Sequence, residues 1–217
     1  MESPKLKDLL EPESIAVVGA SPDSRYSGDL IENLLEYGFD GTLYPVNPNR
    51  DEAFDRKCFD SLSDLPESPD LAVVSIPREH VVETVEEAGK EGIEAVLVIT
   101  AGFSESDERG KELEKKLQEV AEDEGIALSG PNTIGFANAS DSVTASAICS
   151  REPREGSISL LSQSGALAFA TFFDRAKDRD VDFSKIIATG NETGLSMTDY
   201  VDYLAEDPET DVIAAYI

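Results

Sequence analysis

The chain is predicted to fold as a doubly wound α/β protein, and three observations predict it. Short apolar, β-branched runs alternate with segments of helical periodicity. Those runs are continuous, as in the strands of a parallel sheet buried on both faces. Each of the first four runs breaks at its C-terminal end into Gly, Pro, Ser, Thr or Asn, the loop residues of a ligand-binding sheet edge.

Met1 to Glu13 is a polar lead-in with a short helix expected around Leu6 to Leu10. Ser14-Ile15-Ala16-Val17-Val18 is the first strand, and Gly19-Ala20-Ser21-Pro22 the loop it delivers. Gly19 permits close backbone approach, and small residues before a helix offer main-chain donors where an anionic phosphate is favoured. With only Gly19 and the distant Gly28 this is not a full dinucleotide fingerprint, and an ordinary tight turn is the alternative. Leu30, Ile31, Leu34 and Leu35 give the following helix, over Asp29 to Tyr37, its apolar face, and Gly38 stops it.

Thr42 to Val46 is the second strand, running into Asn47-Pro48-Asn49, which a βαβ unit sets beside the first loop, within reach of a nucleotide's sugar or adenine. Asp51 to Asp70 reads as a polar connection. Leu71 to Pro77 is a third buried strand, Arg78 to Lys90 a helix with Val81, Val82 and Val85 inward, and Ala95 to Thr100 a fourth strand ending in Ala101-Gly102-Phe103. His80, the single histidine, is taken as a helix-start residue. Asp107 to Glu124 is a charged amphipathic helix, after which Ile126 to Ser129 leads into Gly130-Pro131-Asn132.

Thr133 to about Ser150 reads as a small, polar, β-leaning connection. A second α/β pattern follows: a strand from Ser157 to Leu161, the loop Ser162-Gln163-Ser164-Gly165, and an apolar helix from Ala166 to Lys177. It continues with a strand from Lys185 to Thr189, the turn Gly190-Asn191, a helix around Met197 to Ala205 and a strand from Val212 to Ile217. The division expected is residues 1–150 and 151–217. Three strands and two helices are few for an independent second domain, and an apolar last strand points to a continuation or a partner.

Composition narrows the function. The chain's 217 residues can bury a sizeable core. Its 45 Asp and Glu against 18 Lys and Arg leave a formal net charge of -27, which disfavours nucleic acid and anionic membranes as partners. Scattered carboxylates with few lysines suit a halophilic source, where counterions screen self-repulsion. No run of about 18 apolar residues and no leader pattern is present, so a cytoplasmic location is expected. Cys58 and Cys149 are too few for a disulfide framework and lack metal-ligand spacing; both are expected to be reduced and structural, and no metal site is predicted.

The ordered set Ser14 to Ser21, Tyr44-Pro45-Val46-Asn47-Pro48, Ser75-Ile76-Pro77, Thr100 to Glu105, Gly130-Pro131-Asn132 and Ser162 to Leu167 resembles the NDP-forming acyl-CoA synthetases, including ADP-forming acetate:CoA ligase. The α subunit of succinyl-CoA synthetase is a more distant likeness. The resemblance implies a Rossmann-like CoA-binding domain followed by part of a flavodoxin-like ligase domain. By that resemblance Gly19, Ala20, Ser21 and Pro22 meet the phosphates of coenzyme A, and Asn47, Pro48 and Asn49 lie by its ribose and adenine. Arg50 stands where the family often has a lysine. Ser75, Ile76 and Pro77, with Thr100, Ala101, Gly102 and Phe103, line the pantetheine path. Ser162, Ser164 and Gly165 match a phosphate-facing loop at a helix N-terminus, where hydroxyls and N–H groups stabilise phosphoryl oxygens; a simple N-cap is compatible with that role. Glu192 occupies a position where the family usually has lysine.

The resemblance further implies a complete enzyme that interconverts acyl-CoA, ADP and phosphate with free acid, CoA and ATP, through an acyl phosphate and a phosphohistidine. That histidine and the ATP-grasp part have no counterpart here, so no catalytic residue is assigned to this chain. ATP, ADP and magnesium would belong to the complete enzyme, with the missing ligase and ATP-grasp domains or a β subunit as partners, and an oligomer is possible. The rival readings are a non-catalytic CoA-binding regulatory or scaffold module and an NAD(P)-binding protein. The latter is disfavoured because the second strand ends in Asn47-Pro48, with no acidic residue for a ribose diol.

Overall fold

The computed structural model describes residues 3–217. In chain order the elements are α1 (Ser3–Leu10), β1 (Ser14–Val18), α2 (Ser27–Glu36), β2 (Thr42–Val46), β3 (Glu52–Ala53), β4 (Arg56–Lys57), β5 (Leu71–Val74), α3 (Val81–Lys90), β6 (Ala95–Val98), α4 (Glu108–Asp123) and β7 (Ala127–Ser129). There follow β8 (Gly135–Asn138), β9 (Val143–Ser146), β10 (Ile158–Ser162), a π-helical stretch (Leu167–Phe173) running into α5 (Asp174–Lys177), β11 (Lys185–Ala188), α6 (Met197–Glu206) and β12 (Val212–Tyr216).

The first sheet is five-stranded, in the order β2-β1-β5-β6-β7, and all its pairings are parallel, with Val18 level with Val46 and with Val74. Side chains alternate across it. Ile15, Val17, Leu71 and Val73 face one way, toward α1 and α2, and Ala16, Val18, Ala72 and Val74 face the other, toward α3 and α4. Both faces are covered, which is why these strands read as unbroken apolar runs. Asp70 fixes where the sheet starts: its carboxylate accepts from the N–H groups of Glu13 and Ser14 and from Ser14 Oγ, each at 2.9 Å.

The second sheet has the order β12-β10-β11-β8-β9, and it corrects the reading of residues 133–150. β12, β10 and β11 are parallel, whereas β8 runs antiparallel to β11, and β9 to β8. The segment read as a connection over 133–150 is therefore a hairpin that completes a five-stranded, flavodoxin-like sheet. Every residue of β8 and β9 is buried, so polar and apolar side chains do not alternate along them and the period-2 signal is lost. Gly135, at a φ of 99°, begins the hairpin where a Cβ would collide with the Ala145 carbonyl oxygen. The polar connection over 51–70 likewise contains the small β3–β4 hairpin.

The helices stop and start where their caps dictate. Asp107 caps α4 by accepting from Gly110 N at 2.7 Å, and Ser196 and Asp199 form a reciprocal capping box on α6. One apolar cluster runs from α1, α2 and the first sheet into Phe136, Leu161, Ile187, Leu195, Tyr200 and Leu204 of the second half. A separate cluster seals the far face of the second sheet, where Phe169 and Phe173 of the π-helical stretch pack on Leu160, Ile186 and Ala188.

Candidate functional site

The C-terminal ends of β1, β5, β6 and β7 open onto a crevice of about 410 Å³. Ser24 and Tyr26 line it from the β1–α2 loop, Ser75, Ile76 and Pro77 from the end of β5, and Ile99, Thr100 and Ala101 from the end of β6. Asn132, Thr133 and Ile134 line it after β7. Five residues singled out from sequence, Ser75, Ile76, Pro77, Thr100 and Ala101, thus share one wall. Thr100 builds that wall: its hydroxyl donates to the Ile76 carbonyl at 2.7 Å and accepts from Ile76 N at 3.2 Å. Phe103 is not on the wall but fully buried beneath it, in the core under α3 and α4. Gly102, at a φ of 101°, lies against Arg78. The Arg78 guanidinium donates to the Gly102 carbonyl and, at 3.0 Å, to Asp107, a hydrogen bond that holds the Asp107 carboxyl below its ordinary value.

The first loop differs from its expected donor role. The N–H groups of Gly19 and Ala20 both donate to the Val46 carbonyl, at 2.9 and 3.3 Å, so they are committed to the sheet. Gly19, at a φ of 86°, is required by packing, because a Cβ there would collide with the Ser75 carbonyl oxygen. Beyond it, Ser21 Oγ accepts from Asp23 N, Ser24 Oγ accepts from Tyr26 N and Ser27 N, and Ser27 Oγ donates to the Gly19 carbonyl at 2.8 Å. Asn47 joins the second strand's end to this loop by donating to the Ala20 carbonyl at 2.8 Å, while its Oδ1 accepts from Asn49 N across the Pro48 turn. Arg50 forms an ion pair with Asp23, on the loop just after Pro22. Gly19 to Pro22 and Asn47 to Arg50 are thereby one unit. Arg50 also borders a separate recess of about 420 Å³, where the Lys57 ammonium lies 4.7 Å from the centre of the Phe59 ring.

The loop after β10 adjoins the crevice. Ser162 Oγ donates to the Ser164 carbonyl at 2.8 Å and accepts from Ser164 N at 3.1 Å. Ser164 Oγ accepts from Leu167 N at 3.4 Å, the N-cap role. Gly165 is pressed so closely against Ile134 that a Cβ would overlap that side chain. Ile134 is thus the partition between the crevice and this loop. Glu192, in the left-handed region at a φ of 57°, accepts from Gln163 Nε2 at 3.1 Å and Thr189 Oγ1 at 2.8 Å, which accounts for a carboxylate at that position.

Tyr26 and the stretch from Asn132 to Ile134 are lining residues that sequence reasoning missed. Gly130-Pro131-Asn132 stood out as a loop, and Tyr26 is an aromatic within a small polar segment, but only the fold brings them to one opening. His80 is exposed, in a 3-10 turn before α3. Both cysteines are free and buried, and burial pushes the Cys149 thiol up to about 12, far from a reactive thiolate. Among the described residues no group of three or more His, Cys, Asp or Glu side chains is gathered to hold a metal ion, and no helix is long and apolar enough to cross a membrane.

The CoA binding domain profile matches residues 13–139, the portion that builds the crevice. The chain belongs to the CoA-binding domain family. A second profile, the succinyl-CoA ligase like flavodoxin domain, matches residues 155–217. Among curated proteins it is 40% identical over 213 residues to acetate--CoA ligase [ADP-forming] I of Archaeoglobus fulgidus, covering 98% of this chain and 30% of that protein. It is 38% identical over 210 residues to the α subunit of acetate--CoA ligase [ADP-forming] II of Pyrococcus furiosus, covering 96% of this chain and 45% of that one. Among solved structures, the dinucleotide forming acetyl-coenzyme A synthetase 1 of Ca. Korarchaeum cryptofilum, in complex with phosphate and ADP, superposes with a TM-score of 0.91 at 37% identity, covering 98% of this chain and 45% of that one. The chain thus spans less than half the length of these relatives.

Proposed function

We propose that this chain is the coenzyme A-binding part of an NDP-forming acid:CoA ligase, with residues 1–150 as the CoA domain, which lends its β8–β9 hairpin to the second sheet, and 151–217 as the first part of the ligase domain. The observation that carries the reading is the crevice at the parallel sheet's C-terminal edge, divided only by Ile134 from the Ser162–Gly165 loop. A crevice lined by apolar Ile76, Pro77, Ile99 and Ile134 with a few hydroxyl and amide groups suits an extended pantetheine arm. Arg25, on the β1–α2 loop between the lining residues Ser24 and Tyr26, is exposed and in no ion pair among the described residues, so its guanidinium is available to an anionic ligand. CoA would supply the thiol that carries the acyl group as a thioester. Ser75 to Pro77 and Thr100 to Ala101 would flank its arm, Ser21 and Arg25 would face phosphate, and Asn47 to Arg50 would lie toward the ribose and adenine.

The complete enzyme would interconvert acyl-CoA, ADP and phosphate with acid, CoA and ATP, using magnesium and an ATP-grasp domain or β subunit. Its setting would be a cytoplasm of high salt, to which the acidic surface is suited.

The test is calorimetric titration of the chain with CoA and with NADH in molar KCl. Saturable CoA binding is expected, weakened at least about tenfold, or about 1.4 kcal/mol, by Ala101→Phe, which fills the crevice from an exposed position without touching the backbone. Gly19→Val would be a poor probe, because it disrupts β1 against β5. Tighter binding of NADH than of CoA, or no loss in Ala101→Phe, would overturn the reading.

A further inference from the structure

Two consecutive residues on the β11–α6 loop reach in opposite directions. Asn191 reaches the crevice: its Nδ2 donates to Glu105 Oε2 and Glu114 Oε2, both at 2.8 Å, and its Oδ1 accepts from Asn132 Nδ2 at 3.1 Å. Glu105 in turn accepts from the N–H groups of Gly102 and Phe103 at 2.5 and 3.1 Å, and Glu114 from Ser104 N at 2.9 Å. The Asn191 N–H donates to the Pro131 carbonyl at 2.9 Å. One amide side chain therefore ties the loop after β6, just beyond the crevice wall, to the loop after β7. Glu192 reaches the other way, to Gln163 in the Ser162–Gly165 loop and to Thr189, and its second oxygen accepts from Met197 N at 3.2 Å.

We infer that Asn191 and Glu192 are a coupler, positioning residues that set the crevice in register with the Ser162–Gly165 loop. The two side chains leave adjoining Cα atoms, and Glu192 is held in the left-handed region, a conformation kept only where surrounding contacts over-determine it. A displacement of either loop must then be shared by the peptide between them. A ligand that orders one loop lowers the cost of ordering the other. The ligand named here, CoA, rests on the reading above; the coupling itself does not.

The experiment is amide hydrogen exchange on the ligand-free chain, read at Gly102 and Phe103 in one loop and at Ser164 and Leu167 in the other. A coupler predicts that Asn191→Ala and Glu192→Ala each accelerate exchange in both loops, by roughly tenfold at the nearer one and less at the farther. Asn191→Ser, which keeps one donor, should fall between wild type and Asn191→Ala in both loops, and it serves if Asn191→Ala fails to fold. Acceleration confined to each variant's own loop means two independent anchors and overturns the inference. CoA titrations add a functional arm. Asn191→Ala should weaken CoA several-fold and leave 3′,5′-ADP, which lacks the arm, unchanged; equal loss of both, or none, rejects the positioning role. A wild-type chain that binds no CoA would defeat the functional reading while the exchange result still decides the coupler.

Discussion

At the scale of single residues, the buried polar side chains are hydrogen-bonded with one exception among the described residues, the Thr193 hydroxyl, which has no partner. Tyr200 is fully buried on α6, and its hydroxyl donates to Ser129 Oγ at 2.8 Å, across the gap between the two sheets. Burial raises its phenol far above the ordinary range, so it remains a donor throughout the range in which the protein is handled. Tyr200→Phe removes the donor and strands Ser129, itself buried, without leaving a large void. The expected cost is about 1–2 kcal/mol, read as a shift of the urea midpoint at constant m-value; a shift below about 0.3 kcal/mol would show that Ser129 finds another partner.

Lys185 makes a sharper case. Its ammonium, 2% exposed, donates to Asp207 Oδ2 at 2.8 Å, and Thr210 Oγ1 donates to the same oxygen at 2.6 Å. Burial raises the Asp207 carboxyl, but the hydrogen bonds from Lys185 and Thr210 outweigh it and the net shift is downward. The stabilisation is therefore complete above the unfolded carboxylate value, near 4, and is lost as pH falls through the lower folded value. Lys185→Met should cost about 3–5 kcal/mol at neutral pH by leaving Asp207 uncompensated. It should also turn the acid dependence around, the variant gaining relative to wild type between pH 6 and 3. Parallel acid profiles for the two proteins would contradict this account.

At the scale of elements, what could be read from sequence and what could not have distinct physical causes. The strands of the first sheet announce themselves because each is covered on both faces and rich in β-branched residues, and the ends of β5 and β6 carry the small and turn-forming residues that become the crevice wall. The β8–β9 hairpin is silent because its residues are small, mixed in polarity and buried throughout. The π-helical stretch Leu167–Phe173 is equally silent, since a helix with one residue more per turn-closing ring leaves no separate mark on apolar spacing. In the candidate site the motif ends were legible one at a time. Their convergence was not: Tyr26 and Ile134 are more than a hundred positions apart, and the commitment of the Gly19 and Ala20 donors to Val46 depends on strand register.

At the scale of the molecule, the dominant property is the mismatch between a strongly acidic surface and an apolar interior, one cluster of which is shared by both sheets. Calorimetry across a KCl series should show the transition rising with salt from dilute buffer to molar concentrations, as screening relieves the repulsion of a net charge of -27. A transition insensitive to salt would remove high-salt adaptation from the reading.

The same scans carry a second consequence, drawn from the apolar cluster that passes from α1 and α2 through the first sheet to Phe136, Leu161 and Tyr200. The two family profiles meet between residues 139 and 155, but the interior does not divide there. Evolutionary units and cooperative units should then be different partitions of this chain. It should melt in one calorimetric transition whose van't Hoff and measured enthalpies agree, and a gene cut at the profile boundary would release two halves, each missing a side of the core the other supplies.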